Sequence, residues 1–93
     1  MKNKKTILEE SNEIIFERSE EKGRDYGPIN ESFDETATIA SILTGKSLTA
    51  EDCYKVMIAL KMSRMKKSYK RDTYLDCIGY MGALAEMLNK KDE

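Results

Sequence analysis

The stretch from Leu60 to Tyr80, LKMSRMKKSYKRDTYLDCIGY, holds six bases, two aspartates and three tyrosines. On helices, Lys61 and Arg64 are three residues apart and Asp72, Asp76 and Tyr80 recur every four, so each set shares a face. Ammonium and guanidinium groups on one face are suited to phosphate recognition. The same bases set against two carboxylates also make an interhelix salt-bridge cluster that neutralises itself. The neighbouring bases Lys66, Lys67, Lys70 and Arg71 outnumber Asp72 and Asp76, which leaves positive potential for an anion or simply a solvated helix end. Tyr26, Tyr54, Tyr69, Tyr74 and Tyr80 supply most of the aromatic surface, as rings that stack on a nucleobase or edge a core.

The elements that must position these groups follow from periodicity and caps. A first helix starts at Thr6, in a Thr-x-x-Glu pattern with Glu9, and carries Ile7, Ser11, Ile14, Ile15 and Arg18 to about Lys22. Gly23 ends it, and Gly27 with Pro28 marks a second break, so Arg24, Asp25 and Tyr26 fall on a short linker. A second helix from Asn30 to Thr44 is expected to bury Phe33, Ala37, Ala40 and Leu43 before Gly45 stops it. Thr49 caps a third, running to about Lys66, with Glu51 and Asp52 in its first turn and Cys53, Val56, Met57 and Leu60 as its apolar stripe. A fourth runs from Asp72 to about Asn89 with Leu75, Ile78, Gly82, Ala85 and Leu88 on one face. Gly79 and Gly82 inside it call for close approach by another backbone, a subunit or a ligand.

The expected fold is therefore all-α: one compact four-helix domain over residues 1–93, ordered from about 6 to 89, with the last two helices as an antiparallel hairpin. A chain of 93 residues sits near the size where association supplies missing burial, and six methionines could line a subunit interface, so an oligomer is expected. There is no His, and Cys53 and Cys77 lack a CxxC partner, which excludes a zinc site or a Cys/His pair. In the hairpin the two cysteines lie about 10 Å out of register, beyond disulfide reach, and read as small buried side chains.

The net charge is −1, yet residues 53 to 71 hold seven Lys/Arg and no acid. That patch is too short, on an otherwise acidic surface, for a DNA-binding reading. No run is long enough to span a membrane, and the acidic, amphipathic segment after the basic N-terminus does not fit a signal peptide, so the expected location is the cytoplasm.

In order and spacing the chain resembles a family of small phage and prophage proteins that share a DYG motif, a following Phe, an LK-x-x-R segment and a closing D-x-x-GY. Here these are Asp25-Tyr26-Gly27, Phe33, Leu60-Lys61 with Arg64, and Asp76 with Gly79-Tyr80, across roughly residues 7 to 88. The pattern is also similar to a phage nucleotide-modification-associated domain and, more distantly, to the all-α MazG-type NTP pyrophosphohydrolases. The distant likeness implies Mg²⁺ held by an E-x-x-E and an E-x-x-D, because a triphosphate-bound Mg²⁺ takes hard oxygen ligands. This chain departs from that set. Glu31 and Asp34 have the i,i+3 spacing, with Glu35 beside them, but Asp72 and Asp76 are four apart and no E-x-x-D follows; Glu10 and Glu13 give a further match on the first helix.

The distant likeness implies an enzyme, but without an assured metal set the basic and tyrosine side chains favour binding over cleavage. The expected function is to hold a nucleotide, including a cyclic or ADP-ribose-derived immune signal, in an infected or lysogenic host. That is an anti-defence sponge with no cofactor. Lys61, Arg64, Lys67 and Arg71 would contact phosphate, Tyr26 or Tyr80 would stack on a base, and Asp25 or Asp76 would accept hydrogen bonds from ribose or base amines. The alternatives are a Mg-dependent hydrolase using Glu31, Asp34, Glu35, Asp72 and Asp76, and a structural or protein-binding oligomer.

Overall fold

The structure, a computed structural model, describes residues 5–17 and 27–91, and among these every regular element is helical and none is a strand. Helix α1, Ile7–Asn12, runs on into a wider π-helical turn, Glu13–Glu17; α2 is Gly27–Thr44, α3 Ala50–Met65 and α4 Arg71–Lys91. Asp25 and Tyr26, with Gly23, Arg24 and the expected end of the first helix, lie outside the described residues.

The caps read from sequence form as reciprocal hydrogen bonds. Thr6 Oγ1 accepts from the Glu9 N–H at 3.1 Å while the Glu9 carboxylate accepts from the Thr6 N–H at 2.8 Å. Thr49 Oγ1 accepts from the Asp52 N–H at 3.1 Å, and Asp52 accepts in return from the Thr49 N–H at 2.9 Å. Each box satisfies two backbone donors that a helix start leaves without partners. At the end of α2, Gly45 takes φ 71° and donates its N–H to the Ser41 carbonyl at 3.0 Å, the left-handed stop that glycine accepts without a Cβ clash. Ser41 Oγ then pins the turn, accepting from the Leu48 N–H at 2.9 Å. The break expected at Gly27 and Pro28 is instead the first turn of α2, where proline's missing N–H costs no helical bond.

The core is small. Phe33, Ala37, Cys53, Tyr54, Ala83 and Leu84 are buried together, with Ile15, Ile29, Met57, Tyr80 and Leu88 packed against them. Tyr54 is fully buried, stacks on Phe33 at 3.9 Å between ring centroids, and donates its hydroxyl to Asn30 Oδ1 at 2.5 Å. Helix α3 packs against both α2 and α4, and α1 packs against α4. Cys53 and Cys77 are buried free thiols.

The apolar stripes differ from the sequence reading in particular places. Leu43, Val56 and Leu60, expected inside, are exposed by 80, 65 and 41%, and Ala85 is exposed as well. The buried positions of α4 are Leu75, Cys77, Gly79, Ala83 and Leu84. The cause is rotation about the axis: α3 turns Cys53 and Tyr54 to its neighbours, which carries Val56 and Leu60 to the side. Only one of the two glycines inside α4 marks a close approach. A Cβ on Gly79 would sit 3.2 Å from Ile15 Cγ1 and 3.3 Å from Ser11 Oγ, whereas one on Gly82 would meet nothing within 4 Å. Among the described residues, no helix is long and apolar enough to cross a membrane.

Candidate functional site

Around the five-residue turn 66–70 between α3 and α4, the bases of the opening stretch divide into those that meet a described carboxylate and those that do not. Lys61, whose side chain is 13% exposed, places Nζ 3.0 Å from Asp76 Oδ2 across the α3–α4 contact. Arg71 pairs with Glu10 and so ties the start of α4 to α1; that carboxylate holds the guanidinium above its usual value. Burial pushes the Cys77 thiol up, against the opposing influence of Lys61. Two of the four expected phosphate contacts are thus engaged by carboxylates.

The other two, Arg64 and Lys67, line a pocket of about 310 Å³ with Ser68, Lys70 and Thr73. This volume is at the lower end for small-molecule sites. No described acid forms a salt bridge with Arg64, Lys67 or Lys70. Thr73 lies in the first turn of the 21-residue helix α4, whose dipole favours an anion, while its own N–H is given to the Lys70 carbonyl at 3.1 Å and Asp72 stands in the same turn. Beside the pocket, Tyr69 is 71% exposed and lies against Tyr74 at 5.4 Å between ring centroids. Sequence reasoning counted Lys70 as a loop base but missed Ser68 and Thr73, whose hydroxyls carry no spacing signal.

One turn further along α4, Asp76 borders a second recess, a slot of about 220 Å³ between α1 and α4 lined by Ser11, Ile14, Ile15, Ile29, Leu75, Gly79 and Tyr80. Ser11 is buried within it. Tyr80 lines this slot and sets its ring edge-on to Phe33 at 5.8 Å, a packing role against the core.

Glu31, Asp34 and Glu35 lie on α2 and Asp72 and Asp76 on α4. Among the described residues, no three acids or cysteines gather into a group able to hold a metal ion, so the described donor set does not fit Mg²⁺.

With its helices, paired bases and open basic pocket in place, the chain can be set beside known proteins. It belongs to the family described as a domain of unknown function, DUF6378, whose match covers residues 6–88. Two curated relatives are phage proteins. The Gene 55 protein of Mycobacterium phage L5 is 36% identical over 90 residues, covering 95% of this chain and 56% of the relative. The Gene 55 protein of Mycobacterium phage D29 is 30% identical over 89 residues, covering 95% of this chain and 57% of the relative. The chain therefore spans little more than half the length of each. No solved structure matches it.

Proposed function

We propose that this phage-family domain binds a phosphate-bearing small molecule of the nucleotide class, such as a cyclic or ADP-ribose-derived immune signal, and holds it without cleaving it. One observation carries the reading: Arg64, Lys67 and Lys70 surround an open pocket with no carboxylate salt bridge among the described residues, while Lys61 and Arg71 are neutralised. Three bases without such partners beside a helix N-terminus attract a multivalent anion, and charge-assisted hydrogen bonds contribute about 1.5–3 kcal/mol each. The phosphates lie among Arg64, Lys67, Lys70 and the hydroxyls of Ser68 and Thr73. The base stacks on Tyr69 or enters the slot beside Asp76 and Tyr80.

In this reading α3 and α4 form an antiparallel hairpin whose turn builds the pocket, the working particle is an oligomer, and sequestration of the ligand blunts a host response. The test is thermal stabilisation by a panel of nucleoside triphosphates, cyclic oligonucleotides and ADP-ribose derivatives. The wild type and a Lys55→Ala control are expected to be stabilised by the same panel member, and an Arg64→Ala/Lys67→Ala/Lys70→Ala variant is not. Equal stabilisation of the triple variant would remove the pocket from the account.

A further inference from the structure

The second half of α2, TATIASILT from Thr36 to Thr44, contains no charged residue, and α2 as a whole has no Lys or Arg in a chain that holds sixteen. This segment is far from fully packed: Ile39, Ile42 and Leu43 are exposed by 52, 76 and 80%. Across from it, α3 exposes Val56 and Leu60 one turn apart. Between the two helices runs a groove of about 300 Å³ lined by Thr36, Ala40, Thr44, Leu48, Val56 and Met57, with Cys53 at its floor and Asp52 at its edge.

Helical spacing places Ile39 and Leu43 beside the groove as a ridge, with Val56 and Leu60 along its other bank. These four side chains, exposed by 52, 80, 65 and 41%, form an apolar patch on the order of a few hundred Å², and two such patches approach the roughly 1,000 Å² that a specific interface needs.

We propose that this face is the contact between two copies of the chain, related by a two-fold axis that seats the Ile39–Leu43 ridge of each copy in the groove of the other. Self-complementarity argues for a second copy, because an isologous interface requires a ridge and its matching groove on one surface. Charge supports the same arrangement. The acids of α2, Glu31, Asp34 and Glu35, are confined to its first half, so crossing the uncharged second halves at the axis keeps like charges apart. The association buries three of the side chains that the apolar pattern marks for burial and the isolated chain leaves in water, Leu43, Val56 and Leu60.

The test is sedimentation velocity on the full chain across a concentration series, with helix content followed by circular dichroism. Wild type is expected to sediment as two chains. Leu43→Glu and Val56→Glu, at positions exposed in the single chain, are expected to keep their helix content and weaken self-association by at least about 100-fold, because a two-fold axis buries each new carboxylate twice. Met62→Glu, on a different face of α3, should remain dimeric. Wild type that stays a single chain at every concentration would leave the face to a partner of another kind and overturn the proposal. So would a dimer that both glutamate variants preserve at wild-type strength.

Discussion

Lys61 and Asp76 join α3 to α4 through an unequal ion pair: the ammonium side chain is 13% exposed and the carboxylate 47%. The cation therefore depends on its partner more than the anion does. Asp76→Ala, which leaves the ammonium sheltered and unpaired, is expected to cost about 1–3 kcal/mol. Lys61→Met, which returns Asp76 to water and keeps an apolar stem in place, should cost less than about 1 kcal/mol. Urea unfolding of both variants checks this, and equal losses would refute the asymmetry.

The two glycines of α4 should respond in opposite directions. Gly82→Ala adds a Cβ into open space and gains the helix preference of alanine, roughly 0.8–1 kcal/mol. Gly79→Ala meets the side chains of Ile15 and Ser11 at 3.2–3.3 Å, which must give by a few tenths of an ångström where they are already packed, and this is expected to offset that gain and turn the change into a loss. Melting temperatures of the two variants should move apart, upward for Gly82→Ala and downward for Gly79→Ala.

That contrast also shows how far the sequence could be read. Caps, stops and helix order were legible because Thr6, Thr49 and Gly45 act within a few residues of backbone. Faces were less so. Tyr54, absent from the expected stripe, is the most deeply buried large side chain, because Phe33 and Asn30, more than twenty residues earlier, offer it a stacking surface and a hydrogen-bond acceptor. The basic patch was visible in sequence, but which of its bases meet a carboxylate among the described residues was not. Glu10, which takes Arg71, lies 61 residues away and is brought near only by the α1–α4 contact.

Tyr54 supplies a further prediction. Tyr54→Phe keeps the stack but removes the hydroxyl given to Asn30, for an expected loss of about 1 kcal/mol. Tyr54→Ala empties the middle of a small core and should cost about 3–5 kcal/mol, enough to unfold much of the population at room temperature. Denaturant midpoints of the two variants measure the difference.

The cap of α3 should be sensitive to acid. Hydrogen bonds from Thr49, backbone first and then side chain, hold Asp52 below the usual carboxylate range. A carboxyl group depressed in the folded state contributes stability above its unfolded pKa, and that contribution is lost as pH falls through the folded value. Stability measured from neutral to acid pH should therefore fall less steeply in Asp52→Asn than in wild type. Thr49→Ala should cost about 1 kcal/mol at neutral pH.

In the proposed function, the pocket of Arg64, Lys67 and Lys70 holds a nucleotide and returns it unchanged. The most direct measurement is calorimetric titration with an ADP-ribose derivative or cyclic oligonucleotide chosen from the stabilising panel. It is run with chelator and again with Mg²⁺, and the ligand is then recovered and chromatographed. Saturable binding in chelator is expected, weakened by added salt, with intact ligand recovered under both conditions. Binding that requires Mg²⁺ and yields a cleaved product, or no heat with any member of the panel, would contradict it.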